Sequence, residues 1–228
     1  MSIADNLVMI RQKIQQASQA YQGDLDSVKL LAVTKTKPIE MIEQAIGAGQ
    51  RIFGENYVQE GVEKIQYFAH YPDLEWHFIG ALQSNKTKLV AEHFDWVQTV
   101  DRLKIAQRLN EQRPDYCLPL NVLIQINISD ENSKAGIAPS EMLPLARQIS
   151  LLPNLTLRGL MAIPKPEQDP EKQQVALLEM QQLFLQLKAE FSEVDTLSMG
   201  MSDDLISAIK CGSTMVRIGT AIFGSRSP

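Results

Sequence analysis

Eight short runs of strand-forming residues, separated by stretches of helical period, constrain this chain more tightly than any other feature. The runs fall at 29–34, 51–54, 76–80, 96–100, 120–128, 155–163, 196–199 and 215–218. Between them lie helix-forming stretches at 39–46, 58–68, 87–93, 103–112, 141–149, 171–191 and 205–209. Several open after residues that cap or begin helices, namely Pro38, Asp101, Ser140 and Asp203. Gly47, Gly49 and Gly212 mark exits. Alternation of this kind is the pattern of a parallel sheet with crossover helices. Eight strands and seven intervening helices predict a closed α/β architecture, a (β/α)8 TIM barrel, in a chain of 228 residues. That is compact for a fold that usually takes about 250. The first segment carries Ile3, Leu7, Ile10 and Ile14 on one stripe, which predicts an extra N-terminal helix covering the gap beside strand eight. An open doubly wound sheet is the alternative; it requires a switch in strand order, and no Gly-x-Gly-x-x-Gly follows any strand. No Pro-, Gly- or Ser-rich linker divides the chain, and 163–170 reads as a loop, so residues 1–228 are expected to form a single domain.

Charge and cysteine usage remove several classes of function. The net charge is −5 with both signs interspersed, which argues against a general nucleic-acid surface but leaves room for a local anion site. Cys117 and Cys211 lie far apart and outside any CxxC spacing, and His70, His77 and His93 have no metal-ligand spacing, so neither a disulfide framework nor a metal is expected. The first residues lack a basic stretch followed by an apolar one, and no apolar run approaches the ~20 residues that span a bilayer. A cytoplasmic protein with two free thiols and no membrane partner is expected.

In such a barrel the strand C-termini share one face, and that face holds the active site. Strand one ends at Leu30-Leu31-Ala32-Val33-Thr34 and delivers Lys35 there. An ammonium among apolar neighbours is costly unless it is paired, desolvated or converted into something else. A free lysine is neutral in only about one molecule in 2,500 at pH 7, whereas a desolvated one can condense with an aldehyde. Snorkelling of Lys35 to pair with a carboxylate would satisfy the same pattern. Strand two delivers Glu55 and Asn56, with Glu55 placed to orient Lys35 or pair with it, and strand three delivers His77 and Gly80. Strand seven ends in Ser198-Met199-Gly200-Met201-Ser202 and strand eight in Arg217-Ile218-Gly219-Thr220. Phosphate sites in these barrels commonly form from the loops after strands seven and eight. Gly200, Ser202, Gly219 and Thr220 are small enough to let backbone N–H groups approach an anion, and a helix starting near Thr220 would add its positive end. Arg217, between Val216 and Ile218, is expected to point into the barrel, where it needs a carboxylate or a ligand heteroatom as acceptor. An amine, a phosphate nest and an inward guanidinium together describe a site for pyridoxal 5'-phosphate.

The segments Ala32-Val33-Thr34-Lys35-Thr36-Lys37-Pro38, Phe53 to Glu60, Trp76 to Lys86, Ser198 to Asp204 and Met215 to Thr220 give the chain a specific resemblance. It resembles, over nearly its whole length, the pyridoxal phosphate homeostasis proteins of the YggS and PROSC type. The resemblance implies a cytoplasmic barrel like the N-terminal domain of alanine racemase (fold type III), with Lys35 holding the cofactor as a Schiff base. It also implies a part in vitamin B6 and amino-acid homeostasis without established catalysis. The cofactor-binding residues are expected to be Lys35, Asn56, His77, Ser198, Gly200, Met201, Ser202, Arg217, Gly219 and Thr220, with no catalytic residue and no metal.

A racemase or lyase acting through pyridoxal phosphate is the rival expectation. Arg217 against the pyridine nitrogen would keep it unprotonated and weaken the electron sink, although the racemases that look like this barrel work with an arginine there, so this only restrains the chemistry. The racemases that look like this barrel use a second domain to complete the site, and here Tyr57 is the only obvious aromatic hydroxyl at the strand ends. A monomer that shields the aldehyde and delivers it to apo-enzymes dependent on pyridoxal phosphate is therefore expected. Lys37, Lys86 and Lys134 would compete for the aldehyde, and Lys134, after strand five, is a candidate second site.

Overall fold

Strands covered on both faces read as continuous apolar runs, and β4 (Trp96–Val100) and β8 (Met215–Ile218) are buried at every residue. The computed structural model describes residues 1–132 and 135–225. The other strands are β1 (Lys29–Val33), β2 (Ile52–Glu55), β3 (Glu75–Phe78), β5 (Leu120–Gln125), β6 (Leu155–Met161) and β7 (Thr196–Ser198). All eight pair in parallel with their sequence neighbours, and β8 closes on β1 through Leu31↔Arg217 and Ala32↔Ile218. The chain is thus a closed (β/α)8 barrel, as its alternating pattern predicts, and the open doubly wound alternative is excluded.

The helices form the outer ring: α1 (Ile3–Gln22), α2 (Ile39–Gly47), α3 (Val58–Tyr67), α4 (Thr87–His93), α5 (Leu103–Gln112), α6 (Met142–Ile149), α7 (Pro170–Glu190), α8 (Leu205–Lys210) and a single turn, α9 (Thr220–Phe223). On α7, Leu177, Met180, Leu183, Phe184 and Leu187 face the barrel while Val175 faces solvent. Two expected helix starts differ. Ser140 lies within a 3-10 turn, Pro139–Glu141, that precedes α6. Asp101 does not cap α5; its carboxylate accepts the Gly136 N–H at 3.1 Å. A carboxylate near a helix start can take a loop N–H in place of the helix cap, as Asp101 does.

α1 fills the eighth position in the ring. A Ser2–Asp5 capping box starts it, and Gly23, at φ 72°, ends it in the left-handed conformation that a residue without Cβ adopts readily. Ile3, Leu7 and Ile14 are buried. The Asn6 amide donates to Ile222 O at 2.9 Å, Gln22 donates to Ile209 O and Ser213 O, and Arg11 donates to Ala48 O. One helix therefore ties α2 to α8 and α9. Among the described residues no helix is long and apolar enough to cross a membrane, and Cys117 and Cys211 are free thiols.

Candidate functional site

Lys35 lies just past β1, at the C-terminal mouth of the barrel, and is half-buried. Its backbone neighbours are fixed on both sides. Thr34 N–H donates to Gly54 O at 3.0 Å, and Thr34 O accepts from the Lys64 ammonium at 2.7 Å. Thr36 adopts φ 62°, uncommon for a residue with Cβ, and its N–H donates to the Glu60 carboxylate at 2.5 Å. Lys64, on α3, also pairs with Glu60 at 3.0 Å and with Glu55 at 2.6 Å. The Lys35 ammonium itself has no hydrogen bond or ion pair with any described residue. This corrects the expected Glu55–Lys35 pairing: Glu55 is fully buried and its cation is Lys64. Burial raises the Glu55 carboxyl to about 7, against the opposing pull of Lys64.

Asn56 follows β2, and its Oδ1 is buried without a hydrogen-bond partner among the described residues. It lines a cavity of about 250 Å³ with Gly80, Thr99, Gln125, Asn127 and Ile163. A larger cavity of about 710 Å³ opens across the mouth, lined among others by Lys165, Lys172, Gly200, Met201, Asp204 and Arg217. Ser129 and Ile163 belong to the walls of both.

Gly200 is buried at φ 106°, and a Cβ there would lie 2.7 Å from Ala208 Cβ and 3.0 Å from Val216 Cγ1. Only glycine fits where the chain leaves β7. Gly200→Ala is expected to lower stability by roughly 1–3 kcal/mol through backbone strain. It should also displace the 200–202 turn, which a denaturant melt and the ligand affinity of the mouth would both register. Beyond Gly200, Met201 and Ser202 are exposed, and the Met201 N–H donates to Asp204 Oδ1 at 2.7 Å. Asp204 therefore stands at the N-cap position of α8 without capping it by its side chain. Gly219, half-buried, runs beside Val33, and Thr220 is exposed at the start of α9.

Arg217 is 4% exposed and has no carboxylate within ion-pair distance among the described residues. Its Nη1 donates to Ser198 Oγ at 2.6 Å and its Nη2 to Ala162 O at 3.0 Å. Burial pushes the guanidinium down to about 10, with distant Asp204 opposing. Ser198 is buried, and its hydroxyl is committed to Arg217 and Gln98 inside the barrel.

His77 is not brought to the mouth, contrary to expectation. It is fully buried inside the barrel, bonded to Glu75 at 2.7 Å and Gln98 at 2.8 Å, and stacked on Trp96 at 4.8 Å. A strand's period of two shows that a side chain points inward but not at what depth. The structure thus gathers Lys35, Asn56, Gly200, Met201, Ser202, Gly219 and Thr220 at the mouth, with Arg217 reaching it from the interior. Tyr57 is exposed at the N-cap of α3. Lys37 donates to Gly224 O at 2.9 Å, Lys86 stands in an exposed turn, and Lys134 lies outside the described residues. Gln98, Lys64 and Glu60 escaped sequence reasoning. Gln98 carried a signal, a polar residue inside the apolar run 96–100, of the same kind that singled out Lys35.

Residues 6–227 match the family described as alanine racemase, N-terminal domain. A pyridoxal phosphate homeostasis protein of Pasteurella multocida (strain Pm70) is 67% identical over 229 residues, covering 99% of this chain and 98% of that relative. PipY of Synechococcus elongatus PCC7942, solved with pyridoxal phosphate bound, is 33% identical with a TM-score of 0.84, covering 98% of this chain and 100% of that one. An alanine racemase of Clostridium difficile 630 has a TM-score of 0.77 at 16% identity, covering 98% of this chain and 58% of the racemase, a likeness of fold alone.

Proposed function

This chain belongs to the pyridoxal phosphate homeostasis proteins, within the alanine racemase N-terminal domain family. From that premise we propose that it binds pyridoxal 5'-phosphate through Lys35. We further propose that it holds the cofactor in the cytoplasm for apo-enzymes, as a single-domain monomer with no turnover of its own. The observation that carries this reading is the Lys35 amine, left without a partner among the described residues while Thr34 and Thr36 on either side are tied down.

The residues at the mouth fit the group. Lys35 would hold the aldehyde. The backbone at Gly200, Ser202, Gly219 and Thr220 would take the phosphate, since the first N–H group of α9 has no intrahelical partner, whereas the Met201 N–H is held by Asp204. Arg217, a cation with no carboxylate beside it among the described residues, would face the ring nitrogen. Asn56 Oδ1, a buried acceptor with no donor among the described residues, would take a hydroxyl. When bound, the group supplies an aldehyde that captures amines and a ring that can withdraw electrons. Two features restrain turnover. The Arg217 cation opposes protonation of the ring nitrogen, and Tyr57, 52% exposed, is not fixed as an acid or base.

A transfer assay tests the reading. Loaded protein mixed with an apo-enzyme dependent on pyridoxal phosphate should restore its activity, with a rate that rises with apo-enzyme concentration beyond the rate of spontaneous release. A rate fixed at spontaneous release would reduce the role to storage. Steady conversion of an amino acid by the purified protein, lost in Lys35→Ala, would replace the carrier with an enzyme.

A further inference from the structure

One hydrogen-bonded chain crosses the barrel interior from Arg217 to Glu75. Arg217 Nη1 donates to Ser198 Oγ at 2.6 Å, and Ser198 Oγ donates to Gln98 Oε1 at 2.6 Å. Gln98 Nε2 approaches His77 Nδ1 at 2.8 Å, and His77 Nε2 lies 2.7 Å from Glu75 Oε1. The members come from β8, β7, β4 and β3, and all except Glu75 are buried. The interior of such a barrel is ordinarily filled by branched apolar side chains. A polar core of this kind needs every member satisfied, because an unpaired buried polar group is expensive.

The donor inventory allows one direction only. Arginine donates and cannot accept, so Ser198 Oγ accepts from it and passes its own hydrogen to Gln98 Oε1. That turns the Gln98 NH₂ toward His77, and its second acceptor contact, Met215 Sδ at 3.3 Å, fixes the same amide orientation. His77 must then accept at Nδ1 and donate from Nε2 to the Glu75 carboxylate, as a neutral ring. Trp96 holds the plane of that ring, with interplanar angle 14°. The chain thus runs from a cation near the mouth to an anion at the opposite end of the barrel, with each neutral member polarised the same way.

We infer that Gln98 and His77 are positioning residues for Arg217, fixing which of its N–H groups are spent inside the barrel and which face the ligand at the mouth. This rests on the cofactor reading for its consequence, that Gln98 sets the electronic character of the bound ring without touching it. Its geometry can be tested without cofactor.

In cofactor-free protein, nitrogen NMR of the three histidine rings should show the His77 ring neutral with its proton on Nε2, and Gln98→Met should move that signal. A proton on Nδ1, or a charged His77 ring at pH 7, would overturn the chain. With pyridoxal phosphate added, a folded Q98M protein should still be labelled at Lys35 on borohydride reduction. Its visible band should be displaced and its half-saturating concentration raised roughly 10-fold, the effect of one hydrogen bond to a charged group. An unchanged band and half-saturation in folded Q98M would overturn the positioning role and leave the cofactor reading standing. A wild-type protein that takes no label at Lys35 would bring down the cofactor reading itself and the consequence drawn from it, while the His77 ring still reports on the chain.

Discussion

Lys35→Ala is expected to abolish the visible absorbance that pyridoxal phosphate develops with the wild-type protein and to reduce borohydride-fixed label to background. The effect is large because the neighbouring amines are committed elsewhere. Lys64 is 5% exposed and bonded to Glu55, Glu60 and Thr34 O. Lys37 donates to the backbone at Gly224 and Ser225. Lys86 and Lys165 are exposed to solvent rather than held half-buried beside a strand end as Lys35 is. Mass mapping after reduction checks the expectation peptide by peptide. Label retained in the variant at wild-type level, on any other lysine, would remove Lys35 from its assigned role.

Lys64→Met carries the second large effect. Removing one partner of a buried ion pair leaves an uncompensated buried charge, which destabilises by about 3–5 kcal/mol, or roughly 10 °C in melting temperature for a chain of this size. The loss should depend on pH through Glu55. Its carboxyl rises from 4.5 to about 7 on folding, so between those values the folded state binds more protons than the unfolded chain. Stability from this group is therefore fully present below about pH 4.5 and is lost as pH rises through 7, a change of roughly 3 kcal/mol by linkage. Thermal melts from pH 4.5 to 8 should show this falling limb, Glu55→Gln should flatten it, and Lys64→Met, which removes the cation that opposes the rise, should prolong it to higher pH with the same starting point near 4.5. A wild-type limb that rises over this range would show Glu55 ionised in the folded protein. Lys64→Met should also slow label uptake at Lys35, because Thr34 O and Glu60 lose the ammonium that fixes the anchor's loop.

The barrel was legible in the sequence because each parallel strand is buried on both faces and each connection carries a helical period. Strand ends were harder to place: the strands in the runs 120–128 and 155–163 end at Gln125 and Met161. Beyond them single backbone bonds continue, Ile126 N–H to Met161 O and Ala162 N–H to Ser198 O, and Ile126 turns to bridge Ile137. At the site, Lys35 and Arg217 stood out as charges in apolar runs. The groups packed around them did not. Lys64 reaches Glu55 and Thr34 from α3, and Arg217 finds a hydroxyl and a carbonyl in place of a carboxylate. Such pairings are set by how helices and strands stack, which periodicity leaves open. Met201 and Asp204 make the same point at short range, since a carboxylate near a helix start can bond either the helix or the turn before it.

The place of α1 in the ring bears on how the molecule comes to be folded. Its docking partners include Ile222, Ile209 and Ser213, and the strand beside it, β1, pairs with β8. During synthesis the first helix and first strand emerge long before the surfaces that complete them. The stripe of Ile3, Leu7 and Ile14 has no final home until residues beyond 220 are available. Closure is the most non-local event in the fold, so it belongs among the slow, late steps that contact order penalises. The nascent chain must keep an unsatisfied apolar helix and an open strand edge out of aggregates until its last strand arrives.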